Sequence, residues 1–556
     1  MKRKPEVLAD SPFDVLIIGG GIHGAAIFRE AAAGGLRTAL IEQGDFGQGT
    51  SANSLKIIHG GLRYLQQADL KRVRQSILSR RRLMGFAPHL ITPQPFLIPV
   101  YGHGIKGKEA LALALTLNDL FGWDRNRDLP ENNFFPRGRV LTSAECLHQI
   151  PHLDKKGLTG GALWYDGLVH HTERLTLEFI WSGWDQGGVA VNYVQARGLI
   201  IEAGQVRGVE AQEVFSRTEF PIRARMVINA SGPWLNNLLD PLPRPPRIAA
   251  DWVKGLNLIV RRPLFGEYGI GLKGPASTGK KEGSRYYFFV PWHEQTLIGT
   301  AYTRCSGPAL QARMEESDLE GFLKEINGIY PPAQLTGEEV SFYHFGLLPV
   351  SEGQAVGDPH PDPDRHSVVY DHESQDGLKG LISVKSTKYT TAPQSAEKVL
   401  KLIIAKGQRP VRVSTFPSEP PSGDKRSVED DLRQITLPEQ GGPPASLAAH
   451  FWENYGPRSR EVIRNARQTP GTFRPISTDP LCTVDEVLYG LREEMALKLS
   501  DIVFRRTSLA QAGLPSLDAL RQTAQIMALE LGWDEKRQQR EIEEVVRVYQ
   551  PLRENK

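Results

Sequence analysis

Glycine spacing gives the first chemical signal, in Gly19-Gly20-Gly21-Ile22-His23-Gly24. A Gly-x-Gly-x-x-Gly turn does three jobs where a strand feeds a helix. The first glycine permits the tight turn, the second lets backbone approach a pyrophosphate, and the third lets helix pack on strand. The helix N-terminus behind the turn offers N–H groups and partial positive charge to the phosphates. Glu42 ends the next apolar run, where a carboxylate can accept from ribose 2′- and 3′-hydroxyls. A carboxylate there favours an adenosine without a 2′-phosphate. Farther on, Asn229-Ala230-Ser231-Gly232-Pro233-Trp234 ends another strand-like run with small residues, which allows a second close backbone approach. These residues point to a dinucleotide and leave FAD and NAD both open.

The elements that must hold these residues read as β-α-β. Residues 14–18 (DVLII) form a short apolar run typical of a buried parallel strand, residues 25–33 are an alanine-rich helix stopped by Gly34-Gly35, and residues 37–41 (RTALI) are a second strand. Strands are expected at 226–230, 256–260, 288–290 and 381–384, and a helix at 396–405. Pro- and Gly-rich ends bracket a charged segment at 417–445, which reads as a linker. Beyond it the pattern turns helical. Thr483 and Glu486 form a capping box, and Val484, Val487, Leu488, Leu491, Met495, Leu499, Ile502 and Val503 recur at helical spacing. Glu494 and Lys498 should pair on its solvent face, and Ser516 should start another helix. The expected fold class is α/β. A Rossmann-like dinucleotide domain is interleaved with a mixed-sheet substrate domain over 1–416, and an all-α C-terminal domain spans 446–556.

Composition narrows the function classes. Sixty-seven Lys and Arg against 64 Asp and Glu leave a net charge of +3, which removes the case for a nucleic-acid protein. Cys146, Cys305 and Cys482 lie far apart with no Cys-x-x-Cys pair, so no disulfide framework and no metal site is expected. The basic Met1-Lys2-Arg3-Lys4-Pro5 leads into no apolar stretch, and no run reaches the ~18 apolar residues of a spanning helix. A cytoplasmic location follows as the expectation. The longest apolar stretch, 110–117 with Leu120, Phe121 and Trp123 behind it, reads as a core helix in preference to one lying in a membrane interface.

Three runs carry a resemblance. They are 19–24, 50–65 (TSANSLKIIHGGLRYL) and 228–234 (INASGPW). Together they resemble the FAD-dependent glycerol-3-phosphate dehydrogenase family, part of the larger glycine/D-amino-acid-oxidase-like flavoproteins. The His59-Gly60-Gly61-Leu62-Arg63-Tyr64-Leu65 run is highly specific, and the likeness continues through 253–255, 291–300, 381–391, 450–456 and 484–506. The resemblance implies FAD as cofactor. Gly19, Gly21, Gly24 and Glu42 would contact its pyrophosphate and ribose, and Thr50, Ser51, Ser54 and Lys56 would form the loop beside it. Ser231 and Gly232 would make the second cofactor turn, with Thr390 on the cofactor side. His59, Arg63, Tyr64 and Lys388 would lie at the flavin and substrate. It further implies oxidation of sn-glycerol 3-phosphate to dihydroxyacetone phosphate, with electrons passed to quinone at the inner face of a membrane, or to oxygen, and a homodimer.

Such chemistry needs a base for the hydroxyl proton, and positive charge for an anionic substrate and the reduced flavin. An imidazole titrating near neutrality, His59, suits the base, and the planar fork of Arg63 suits a phosphate. The chain also departs from the family pattern. Leu348 stands where the family carries an arginine, Asn257 where it often has a histidine, and Pro393 where it has another arginine. Two readings follow. Either the phosphate contacts come from elsewhere, with Arg285 or Arg304 as candidates, or the enzyme acts on a different hydroxy or amino substrate against the apolar Leu348. A third reading is a catalytically silent flavin-binding protein acting through its helical domain.

Overall fold

The structure is a computed structural model. It describes residues 1–67, 69–104, 107–242, 245–246, 248, 251–274, 285–305, 307, 309–350, 361–364, 366–407, 445–466 and 473–550, apart from the side chains of 63, 66, 67, 310, 445 and 446. The expected linker therefore lies almost wholly outside the described residues.

The first sheet runs in the order Val368–Asp371, Leu381–Lys385, Glu219–Asn229, Phe13–Ile18, Thr38–Glu42, Val189–Asn192. All neighbours are parallel except the first pair. Val15, Leu16 and Ile17 are fully buried, as a strand covered on both faces requires. Helices Ile22–Ala33, Thr172–Asp185 and Ala392–Ala405 cover one face. The antiparallel pair Val194–Glu202 and Gln205–Glu213 covers the other. The expected β-α-β unit is present, and its helix begins at Ile22, three residues earlier than alanine content suggests.

The second sheet is mixed, in the order Val340–Val350, Asp251–Val260, Gln295–Arg304, Tyr286–Trp292, Gly269–Lys273, Ile91–Tyr101, Leu158–Val169, Ile57–Ile58, with Arg139–Leu141 paired to Leu158–Val169. One face packs on helix Glu316–Ile329 through Leu319, Phe322 and Ile326. The other face looks toward the C-terminal edge of the first sheet.

The last hundred residues are helical with one small hairpin, Pro475–Thr478 against Leu481–Thr483, so the all-α expectation is corrected by that pair. The Thr483–Glu486 capping box and the Ser516 cap form as read. The helical run does not continue through 503. Helix Val484–Glu493 stops, Met495 takes φ +58°, and the chain resumes as Leu499–Asp501 and a π-helical turn Ile502–Arg506. The expected Glu494–Lys498 surface pair is also corrected. Glu494 is fully buried, accepting from Arg174 Nη1 at 2.7 Å and Trp181 Nε1 at 3.3 Å, while Lys498 reaches Glu544. A buried arginine that needs a carboxylate outranks a pair one turn apart, which is worth only a few tenths of a kcal/mol.

This region braces both sheets. Arg505 and Arg506 close on Asp45, just past the strand Thr38–Glu42, at 2.5–2.7 Å. On the second sheet, Trp292 Nε1 donates to the Gln511 carbonyl at 3.0 Å and Gln295 Nε2 to the Ala512 carbonyl at 2.8 Å.

Candidate functional site

Between the two sheets lies a cavity of about 2310 Å³, lined at one end by the glycine turn and at the other by the second sheet. Gly19 takes φ +107°, and a Cβ there would meet the Ala230 carbonyl at 2.6 Å. The two turns expected from sequence therefore touch, and Ala230 N–H donates to the Ile18 carbonyl at 2.9 Å. A Cβ on Gly24 would collide with the Gly19 carbonyl, so this glycine serves helix-to-strand packing and does not line the cavity. Ser51 Oγ accepts from Ile22 N–H in the first helical turn at 2.9 Å. Glu42 lines the cavity, and its carboxylate accepts from Gly20 N–H at 2.7 Å and Gly44 N–H at 2.8 Å. Burial raises its pKa despite those bonds. Gly21, Thr50, Ser54, Ser231, Gly232 and Thr390 line the same cavity, as expected.

Lys56 does not. It sits at φ +60°, and its ammonium is buried among the Ala52 carbonyl, Thr172 Oγ1 and Glu173, at 2.7–3.2 Å. It anchors the loop 50–56 to the helix behind it and offers the cavity no charge.

His59 lines the opposite end, half exposed. Its Nδ1 faces Asp166 Oδ2 at 3.3 Å. Asp166 also accepts from Gly60 N–H at 2.6 Å, Trp164 Nε1 at 3.1 Å and Arg80 at 2.7 Å. Burial alone would raise the Asp166 carboxyl, but His59 and Arg80 outweigh it and hold it below its ordinary range. An ionised carboxylate on Nδ1 leaves Nε2 as the lone-pair nitrogen able to take a proton. Sequence reading missed Asp166. Its signal was a carboxylate inside the otherwise apolar strand Leu158–Val169, which is stable only with partners.

Tyr64 and Lys388 also line the cavity and meet there, with the Lys388 ammonium 4.4 Å from the Tyr64 ring centroid. Arg63 lies on the short helix Leu62–Gln67, and its side chain is outside the described residues. Leu348 and Asn257 line the cavity; Asn257 Oδ1 accepts from Thr300 Oγ1 at 2.7 Å. Pro393 does not line it; it occupies the first turn of helix Ala392–Ala405, where its missing N–H is harmless. Helix Lys108–Phe121 corrects the core-helix expectation. Only Leu115 on it is buried, Leu113 and Leu120 are 61% and 65% exposed, and Leu111, Ala114 and Leu117 line the cavity.

The residues fit a flavin dinucleotide. The cavity exceeds the several hundred Å³ of an ordinary small-molecule site. Three buried side-chain atoms without a partner, His23 Nδ1, Trp234 Nε1 and Thr387 Oγ1, belong to residues that line it. Buried polar atoms take partners, so they call for a ligand rich in polar atoms. His23 was not singled out from sequence. Its Nε2 bonds the Lys388 carbonyl at 3.1 Å and Ser386 Oγ at 2.6 Å, joining the glycine turn to the Lys388 loop. Burial lowers its pKa to about 4, so it is neutral at pH 7.

Residues 14–383 match the family model described as FAD dependent oxidoreductase, and residues 424–538 match the C-terminal domain of alpha-glycerophosphate oxidase. The chain is 30% identical to a glycerol-3-phosphate dehydrogenase of Synechocystis sp., over 98% of this chain and 97% of that protein. It is 29% identical to the mitochondrial glycerol-3-phosphate dehydrogenase of Homo sapiens, over 96% of this chain and 72% of that one. It is 27% identical to an alpha-glycerophosphate oxidase of Streptococcus pneumoniae, over 92% and 91%. In fold it resembles the glycerol-3-phosphate dehydrogenase from Bacillus halodurans solved with FAD, with a TM-score of 0.73, 23% identity, and coverage of 98% and 96%.

Proposed function

The chain belongs to the FAD-dependent glycerol-3-phosphate dehydrogenase family, and on that premise we propose that it oxidises sn-glycerol 3-phosphate to dihydroxyacetone phosphate. The observation that carries this reading is a single cavity with a dinucleotide cradle at one end and the His59–Asp166 pair at the other. When bound, FAD accepts the hydride from the carbinol carbon. His59 Nε2 takes the hydroxyl proton, and the ionised Asp166 stabilises the imidazolium that results. Lys388 sets positive charge in the cavity, held in place by Tyr64 and by the His23 contact to its carbonyl. Glu42 and Ser51 order the glycine turn that receives the dinucleotide.

For the electron acceptor we propose a quinone at the inner face of a membrane. The exposed Leu113, Leu120 and Trp123 lie on or beside the helix whose Leu111 and Leu117 line the cavity, which supports an apolar approach to it. No helix among the described residues is long and apolar enough to cross a membrane. The proposed assembly is a homodimer, which sedimentation of the holoenzyme tests.

Leu348 favours one competing reading, a substrate without a phosphate. Anaerobic mixing of holoenzyme with glycerol 3-phosphate, glycerol and small amino acids separates the two. Loss of oxidised-flavin absorbance with glycerol 3-phosphate is the expected result. Reduction only by an unphosphorylated compound would replace it with the second reading, and reduction by none would leave a silent flavin protein. Reoxidation by a soluble quinone compared with oxygen then identifies the acceptor.

A further inference from the structure

We infer that Arg285 is the residue that anchors the substrate's phosphate, taking over from the position that Leu348 leaves apolar; the inference rests on the reading of the cavity as a glycerol 3-phosphate site. Two arginines were open on sequence. Arg285 lines the cavity, whereas Arg304 is outside its lining, beside Asp251 at 3.9 Å. Three contacts bring Arg285 next to Leu348. Its guanidinium carbon lies 4.5 Å from the Tyr302 ring centroid. Tyr302 and Leu348 flank Gly255, where an added Cβ would meet Leu348 Cδ1 at 3.5 Å and Tyr302 Cε1 at 3.6 Å. Arg285 Nη2 donates to Asp362 Oδ1 at 3.2 Å, and two residues along, Asp364 N–H donates to the Pro349 carbonyl at 2.7 Å. The guanidinium is thus held on one side by an aromatic face and a carboxylate, at the end of the strand bearing Phe288.

A guanidinium carries five N–H donors in a planar fork, more than Asp362 can take, and the fork matches two phosphate oxygens. Gly255 and Gly346, opposite one another in the two strands below, keep the floor of the cavity low beneath the anion. Stacking on Tyr302 fixes the plane of the fork without consuming a donor. A substrate held there by its phosphate presents its other end across the same sheet face, along which Phe288 lies 6.3 Å from the His59 ring. Charge at one end and base at the other select for a phosphorylated polyol over the bare one.

The test uses FAD-loaded protein and inorganic phosphate as the probe, read by titration calorimetry and by the flavin difference spectrum. Arg285→Gln should weaken phosphate binding roughly 10–100-fold, the range expected for a lost charge-assisted pair. Arg304→Gln should leave it unchanged. Leu348→Arg placed in the Arg285→Gln background should recover most of the loss, with an unaltered flavin spectrum showing that each variant is folded. Equal phosphate binding by Arg285→Gln and the unmodified protein, or no binding by the unmodified protein, overturns the assignment. Reduction by glycerol 3-phosphate is measured in parallel. If phosphate binds through Arg285 but glycerol 3-phosphate does not reduce the flavin, the anchor stands and the substrate reading falls.

Discussion

Gly60 shows how tightly a single residue is specified beside the chemistry. A Cβ there would collide with the Arg80 guanidinium and come within 3.0 Å of Asp166 Oδ1. Arg80 and Asp166 are both buried, so neither can swing away into water. Gly60→Ala should therefore break the Arg80–Asp166 pair, and flavin reduction by substrate should become undetectable while FAD still binds, as absorbance and stopped-flow traces would show. Asp166→Asn is the milder change. It keeps the shape but removes the charge that orients His59, and reduction should slow about 10²-fold with substrate affinity little changed. A full rate in Asp166→Asn would remove the pair from the mechanism.

At the scale of elements, the β-α-β unit was legible because its signals are local: an apolar run, glycines at fixed spacing, a helix and an acid within thirty residues. The second sheet was legible only in pieces. Its strands pair out of chain order, as when Gly269–Lys273 lies beside Ile91–Tyr101, so no window of sequence reports the register. Asp166 escaped for the same reason, since the partners that justify it, Arg80 and His59, are far away in sequence. Glu494 was misread because helical periodicity was carried past the end of a helix. The apolar helix Lys108–Phe121 was misread because composition cannot say which side a helix shows to water. The turn Ile502–Arg506 bears on stability directly. Burial would raise the Asp45 carboxyl, and the Arg506 and Arg505 guanidiniums overcome it, holding it below its ordinary range. Asp45→Asn would leave two buried guanidiniums short of charge, and should cost about 3–5 kcal/mol in urea unfolding. Because Gln43 and Gly44 beside Asp45 line the cavity, FAD retention should fall with it.

For the whole molecule, acid sensitivity follows from imidazoles stored neutral. Burial lowers His89 and His344 from 6.5 to about 3, and both His89 ring nitrogens lack a partner. Between those values the unfolded chain binds protons that the folded chain refuses, so stability rises with pH there. It is fully present above about 6.5 and drains away as pH falls toward 3. Thermal midpoints taken from pH 7 to pH 4 should decline, and His89→Leu should flatten part of that decline. An unchanged slope in His89→Leu would mean that other groups govern it.

The C-terminal helices grip Asp45 on one sheet and the edge of Trp292 and Gln295 on the other. Two walls bolted to a common end plate make a box without a hinge. The width of the chamber is then a fixed dimension of the enzyme, the same whichever guest has arrived and whichever way the electrons have gone. Admission and release fall to the rim, where single side chains can turn while the frame stands still.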